Sequence, residues 1–221
     1  FEQLVASIFS MSKVTVDISI GLIGILSFWL GMMKIAEQAG IIAKIAQWLS
    51  PLFSQLMPDV PKGHPAIGSI TMNLSANFLG LDNAATPLGL KAMQDLQSIN
   101  PNKDTASNAQ ILFLVLNTSS VTLIPIAVFV YRAQQGAVNP TDVFVPILLA
   151  TTASTLVGLF SVAFIQKINL LHKTVLLYLV SAMAFLTALV VYFAQLSAQL
   201  LAEQSSLMGN LLIFSILISF I

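Results

Sequence analysis

The sequence predicts an all-α, polytopic membrane protein whose transmembrane helices are joined by a re-entrant helical hairpin and one broken helix. Three observations carry that expectation. Apolar residues make up 57% of the 221 and charged residues only 8%, whereas a soluble domain is about 25% charged. Uncharged runs cover 18–33, 63–81, 105–131, 133–141, 143–166, 174–202 and 204–221, and a spanning helix needs about 20 largely apolar residues. Two of these runs are interrupted by clusters of Asn, Ser, Thr and Pro. The mean hydropathy of +0.89 excludes a disordered chain, which needs low hydrophobicity and high charge. Nine Lys and Arg balance nine Asp and Glu, which leaves no basic field for nucleic acid phosphates. Without cysteine and with only two histidines, 108 positions apart, the chain has no obvious metal centre or thiolate nucleophile. No metal, no cofactor and no enzymatic activity are expected.

Taken in order, residues 1–13 show no signal-peptide pattern. Residues 14–33 span if Asp17 lies near one interface. Residues 34–57 place Ile35, Ile42, Ile45 and Leu49 opposite Lys34, Glu37, Gln38, Lys44 and Gln47, the pattern of an amphipathic helix in the interface plane. PDVPKGHP at 58–65 is a turn. Residues 65–87 are apolar yet hold Asn73, Ser75, Asn77, Asp82 and Asn83 ahead of Thr86-Pro87. Broken backbone at membrane depth is tolerated only inside protein or beside a watery cavity, so this segment reads as the re-entrant hairpin.

A short amphipathic helix over 88–99 and a polar loop over 100–108 follow. The segment 109–131 carries the second break, with Asn117, Thr118, Ser119, Ser120 and Thr122 ahead of Pro125, which removes one helical hydrogen bond. Residues 143–166 span, and Ala150, Ser154 and Gly158 at four-residue spacing predict close packing on a neighbour. Residues 174–202 span as well, and 207–221 read as the start of a further span. Trp29 and Trp48 read as interfacial anchors. His64 reads as a loop-bonded residue and His172 as a headgroup contact.

The two breaks resemble each other, N-L-S-A-N in one and N-T-S-S in the other. Paired interruptions of apolar segments point to a transporter midplane site. Asn73, Ser75, Asn77, Asp82, Asn83 and Thr86 would contact a solute from the hairpin, with Asn117, Thr118, Ser119 and Ser120 on the other side. A plainer reading stands beside this one. Membrane Ser and Thr bond back to their own helix, Asn joins helices, and Asp82 serves as N-cap of a helix starting near Ala84.

FWLGMMKIAEQAGI (28–41), PDVPKGHPAIG (58–68), NLSANFLGLDNAATPLGLKAM (73–93) and FLVLNTSSVTLIP (113–125) together resemble the spore maturation protein A family, over about residues 15–168. That family carries the nucleoside recognition or Gate domain, which is similar to pieces of concentrative nucleoside transporters and of an iron transporter. The resemblance implies a transport-like, multi-pass component of the bacterial inner membrane, and the candidate site, near zero in net charge, is expected to bind or move a small polar solute, nucleoside-like or a small anion at the hairpin's helix start. A non-transporting scaffold or assembly partner in envelope or spore maturation is the alternative. Relatives usually have Gly at the position of Asp82, and they end soon after that of Lys167. The resemblance therefore divides the chain into a Gate-like domain over 1–169, lacking a first span, and additional spans over 170–221. The latter look like a linker and the truncated start of a B-type half, as in a fused A/B protein. Membrane lipid, the B-type half or a separate B-type partner, and further copies of the chain in a homo-oligomer are the expected partners, and nucleic acid is not.

If 65–87 enters and leaves on one side, that face collects Lys34, Lys44, Lys62, Lys91, Lys103, Lys167 and Lys173, against Lys13 and Arg132 opposite. A crossing segment would split the same residues four against five, losing the positive-inside bias. Single cysteines replacing Lys62 and Lys91 in this Cys-free chain should react with a membrane-impermeant thiol reagent from the same side. Labelling from opposite sides would remove the hairpin.

Overall fold

The computed structural model describes residues 1–219, apart from the side chains of 25, 26, 29, 30, 33, 36, 37, 82, 83 and 219. Trp29, Glu37, Asp82 and Asn83, each assigned a role above, have side chains outside the described ones. The described residues form nine helices and no strand. Four of the helices are long and apolar enough to cross a membrane, within Glu2–Gly24, Phe144–Gln166, Lys173–Ala194 and Ala198–Ile218.

Helix α1 (Glu2–Gln38) is about 55 Å long at 1.5 Å per residue. Ser12, Thr15 and Ser19 donate to carbonyls four residues back, at 2.7–2.8 Å, so these three hydroxyls need no outside partner. Gly40, at φ 79, separates α1 from α2 (Ile41–Leu56). This boundary corrects the amphipathic helix expected over 34–57. Ile35 belongs to α1 and is 49% exposed, whereas Ile42, Ala46, Leu49, Phe53 and Leu56 form the buried face of α2.

Helices α3 (Pro65–Phe78) and α4 (Asp82–Ile99) form a hairpin that packs against α2. His64 caps α3, its Nδ1 accepting from the Ala66 amide at 3.2 Å, and Pro65 occupies the first helical position, where its missing N–H costs nothing. At the tip, the Gly80 amide donates to Asn77 O at 3.0 Å and the Leu81 amide to Ala76 O at 2.9 Å. This crossed pair ends a helix with Gly in the left-handed region, and Gly80 has φ 66. The expected hairpin and the amphipathic 88–99 segment are thus one element on the return limb. Helix α4 starts at Asp82 with Leu81 at the N-cap position, two residues before the start expected near Ala84, and the Asp82 side chain expected to cap it lies outside the described ones. With 14 residues, α3 is about 21 Å long.

Helix α5 (Asn108–Thr118) opens with a capping box. Ser107 Oγ accepts from the Gln110 amide at 3.3 Å, and Gln110 Oε1 accepts from the Ser107 amide at 2.8 Å. The chain then leaves helical geometry until α6 (Ile126–Gln134), so the second interruption lies where the polar cluster and Pro125 put it. Helix α7 (Phe144–Gln166) follows and packs on α5. Ala150 and Ser154 are exposed. Of the expected small-residue row only Gly158 makes the close approach, where an added Cβ would lie 3.0 Å from Val115 Cγ1.

Helix α8 (Lys173–Ala194) stops short of the expected 174–202 run, and α9 (Ala198–Ser219) is a full-length helix, not a short stub over 207–221. Ser197 accounts for the new boundary by accepting the Leu200 amide at 3.3 Å, which starts α9 ahead of Glu203. Ser205 Oγ then accepts the Val145 amide at 2.9 Å, so α9 caps the start of α7.

Two apolar clusters hold the hairpin. Its foot shares one with Phe53, Leu112 and Leu159, and its tip residues Ala76, Leu81 and Ala85 share the other with Ile124, Ile126 and Val145. A methyl at Gly80 would sit 2.4 Å from the Ile124 carbonyl oxygen. Gly80→Ala should therefore lower stability by roughly 2 kcal/mol or more, from left-handed strain plus displacement of Ile124. Gly68→Ala, on an exposed helical position with nothing within 4 Å, should be neutral or stabilising by about 0.5–1 kcal/mol. Thermal unfolding in detergent compares the two.

Candidate solute site

The two interruptions meet. The Leu123 amide donates to Phe78 O at 3.1 Å, joining the second break to the end of α3. From the residue before Phe78, Asn77 Nδ2 donates to Asn117 Oδ1 at 2.6 Å. Asn73, 2% exposed, donates to Ala85 O at 2.7 Å and lies 3.4 Å from Asn77 Nδ2 through its own Oδ1. An added Cβ at Gly89 would lie 3.0 Å from Asn73 Nδ2, so glycine lets α4 close on this asparagine without displacing it.

Helix α7 supports the second break from behind. Thr155 donates to the Ser119 carbonyl, and Thr151 Oγ1 accepts from the Thr122 amide at 3.2 Å. Thr151 also donates to Ile147 O at 2.8 Å, and the single hydroxyl proton of Thr155 is shared between Ser119 O and Thr151 O, the latter at 2.9 Å. They were not singled out in the sequence, although their spacing of four on an apolar helix is a visible signal.

Cavities open on both sides of the Asn77–Asn117 bond, and both asparagines line both of them. The first, of about 360 Å³, lies between α4 and α5 with Thr86, Gly89, Met93 and Phe113 in its walls. The second, of about 310 Å³, lies at the broken segment with Thr118, Ser120 and Thr122 in its walls, and it reaches Ile126, Ala127 and Val128. These last three begin α6, which has no side-chain cap, so its first N–H groups lack intrahelical partners. The described residues lining the two cavities include no Asp, Glu, Lys, Arg or His.

The other candidates divide by what their hydroxyls do. Ser75 is fully enclosed and donates to Thr71 O at 2.6 Å, and Ser119 donates to Val115 O at 2.7 Å. Both bond back into their own helix, and neither lines the cavities. Thr118 bonds back to Leu114 O at 2.9 Å but also faces the second cavity. Ser120 Oγ is the one buried side-chain nitrogen or oxygen among the described residues without a hydrogen-bond partner. Asp82 and Asn83 stand at the start of α4, with side chains outside the described ones.

At the hairpin's foot, Asp95 joins the limbs. Its Oδ1 lies 2.6 Å from Lys91 Nζ, and its Oδ2 accepts from Ser69 Oγ at 2.5 Å. The hydrogen bond from Lys91, then that from Ser69, hold the carboxyl below its ordinary range against the opposing effect of burial. A depressed carboxylate contributes stability that is fully present above the unfolded value of about 3.9 and lost as pH falls through the folded one. Asp95→Asn should therefore melt below the wild type at pH 7, and the gap should shrink below about pH 4. A gap independent of pH would remove the ionic link.

The Gate family, described as nucleoside recognition, matches residues 19–134, which contain the hairpin and both limbs of the broken helix. Spore maturation protein A of Bacillus subtilis (strain 168) is 47% identical over 148 residues, covering 67% of this chain and 76% of that protein. No solved structure matches the chain.

Proposed function

This chain belongs to the Gate, or nucleoside recognition, family, and from that premise we propose that it carries a small polar solute across a membrane. The solute binds between hairpin 65–87 and broken helix 109–131. The observation that carries this reading is the position of the Asn77–Asn117 bond, a single amide contact with a cavity on each side. Breaking one such bond joins the cavities, and a solute able to replace it compensates both amides. That is the least rearrangement that alternating access requires.

Lining without formal charge favours an uncharged or zwitterionic solute such as a nucleoside. Met93 and Phe113 offer apolar walls in the first cavity. The start of α6, which has no side-chain cap, suits an acceptor oxygen or a small anion in the second. The protein is multi-pass in the bacterial inner membrane, with the hairpin re-entrant and the Lys-rich loops cytoplasmic. The length of α3, about 21 Å against a hydrocarbon core of about 30 Å, supports re-entry. Exposed faces on α1 and α8 suit lipid, a B-type partner or further copies of the chain. No chemistry beyond binding and movement is assigned to the site.

A scaffold without transport is the second reading, and it draws on the same bond. Asn77 and Asn117 satisfy each other, while Ser75 and Ser119 are spent within their own helices. Asn77→Ala, Asn117→Ala and the double variant separate the two. If water fills the cavities, each single change should abolish binding of uridine or adenosine, read by thermal shift and proteoliposome uptake, with little change in melting temperature. In a dry scaffold each single change strands an amide at about 1–3 kcal/mol, and the double variant recovers stability. That recovery, with uptake unchanged, would overturn the transport reading.

A further inference from the structure

A separate cleft, of about 350 Å³, lies where the end of α2, the start of α5 and the α7–α8 turn come together. Its rim carries Asp59 from the α2–α3 turn, and Lys167 and His172 from the α7–α8 turn, over a floor that includes Leu56, Met57 and Ile168. Asp59 and Lys167 line the same cleft, yet among the described residues neither side chain forms an ion pair or a hydrogen bond. His172 Nδ1 accepts from the Thr174 amide at 3.3 Å. That bond places the proton of the neutral ring on Nε2, leaving a donor unspent.

The cleft therefore offers one carboxylate and, on a different segment, one ammonium and one imidazole N–H. An anion alone would meet Asp59, and a cation alone would meet Lys167. A ligand with both charges satisfies both. The location narrows it further, since Gln166 ends one membrane-length helix and Lys173 begins the next, so the cleft opens at the depth of lipid headgroups. Phe164, Ile165 and Leu171, within a turn of the rim residues, are 87%, 76% and 80% exposed, as acyl chains beside the cleft would require.

We propose that this cleft binds the headgroup of an aminophospholipid, its phosphodiester on Lys167 and His172 and its primary ammonium on Asp59. The site is independent of the solute site and does not rest on the transport reading. Lipid, and not soluble phosphoethanolamine, is the occupant, because the uncovered apolar side chains adjoin the rim.

The test uses the full chain in detergent with an equimolar mixture of phosphatidylethanolamine, phosphatidylcholine and phosphatidylglycerol of identical acyl chains. Native mass spectrometry reads which lipid is retained. The wild type should hold phosphatidylethanolamine roughly five- to tenfold over the other two, the scale of one charge-assisted hydrogen bond. Asp59→Asn should shift the preference to phosphatidylglycerol, since the donors remain without the carboxylate. Lys167→Asn combined with His172→Asn should abolish retention. Asparagine tolerates the left-handed backbone of Lys167, φ 55, and supplies a cap acceptor at 172. All three positions are exposed, so melting temperatures should hold. Equal retention of the three lipids by the wild type, or a preference unmoved by Asp59→Asn, would overturn the proposal. Displacement of the lipid by an equal concentration of free O-phosphoethanolamine would overturn the lipid source.

Discussion

A helix interrupted inside an apolar layer leaves amides and carbonyls that water does not reach, and each costs free energy until something bonds it. This chain interrupts two helical segments, and the two interruptions serve each other. The Leu123 amide meets the Phe78 carbonyl, and Asn117 meets Asn77. Thr151 and Thr155 of α7 satisfy the backbone at 122 and 119. Much of the remaining architecture follows from keeping those groups in reach of one another.

The close approach leaves no room for a side chain at Gly80, and the same residue's positive φ turns the chain from α3 into α4. The hairpin tip is held among apolar residues of α6 and α7, with its foot in a second apolar cluster and the limbs tied there by Asp95. Polar side chains whose hydrogen bonds close within one helix, such as Ser75, are structural by geometry. Asn73, Asn77 and Asn117, whose bonds cross between segments, and Ser120, whose oxygen finds no partner, line the cavities. The distinction rests on where a hydroxyl's proton goes, which neither residue type nor spacing states.

The broad plan was legible because its signals are collective. A low charge content and long uncharged runs gave an all-helical membrane protein, and the polar clusters with Pro125 marked the second break. Family membership was legible from continuous blocks such as NAATPLGLKAM. Boundaries set by single residues were not legible. Gly40 divides what one amphipathic pattern had joined, and Ser197 starts α9 inside a run that hydropathy alone treats as continuous. Within the site, the Asn77–Asn117 pairing was hidden because residues 40 positions apart meet only when the hairpin folds back. Thr151 and Thr155 escaped because threonine on an apolar helix is ordinarily satisfied by its own backbone, a role these two perform alongside the contact with the break.

Contact between the two interruptions is the claim on which the candidate site depends, and a cysteine-free chain allows it to be measured directly. Phe78→Cys and Leu123→Cys place thiols on residues whose backbones share a hydrogen bond, and a disulfide needs Cα atoms roughly 4.4–6.8 Å apart. Mild oxidation in native membranes should give an intramolecular disulfide in the double variant and none in either single one, read by electrophoretic mobility and by mass after proteolysis. Failure to cross-link, with both thiols reactive toward a small membrane-permeant reagent, would mean that the hairpin tip and the broken helix lie apart, and the site described between them would not exist.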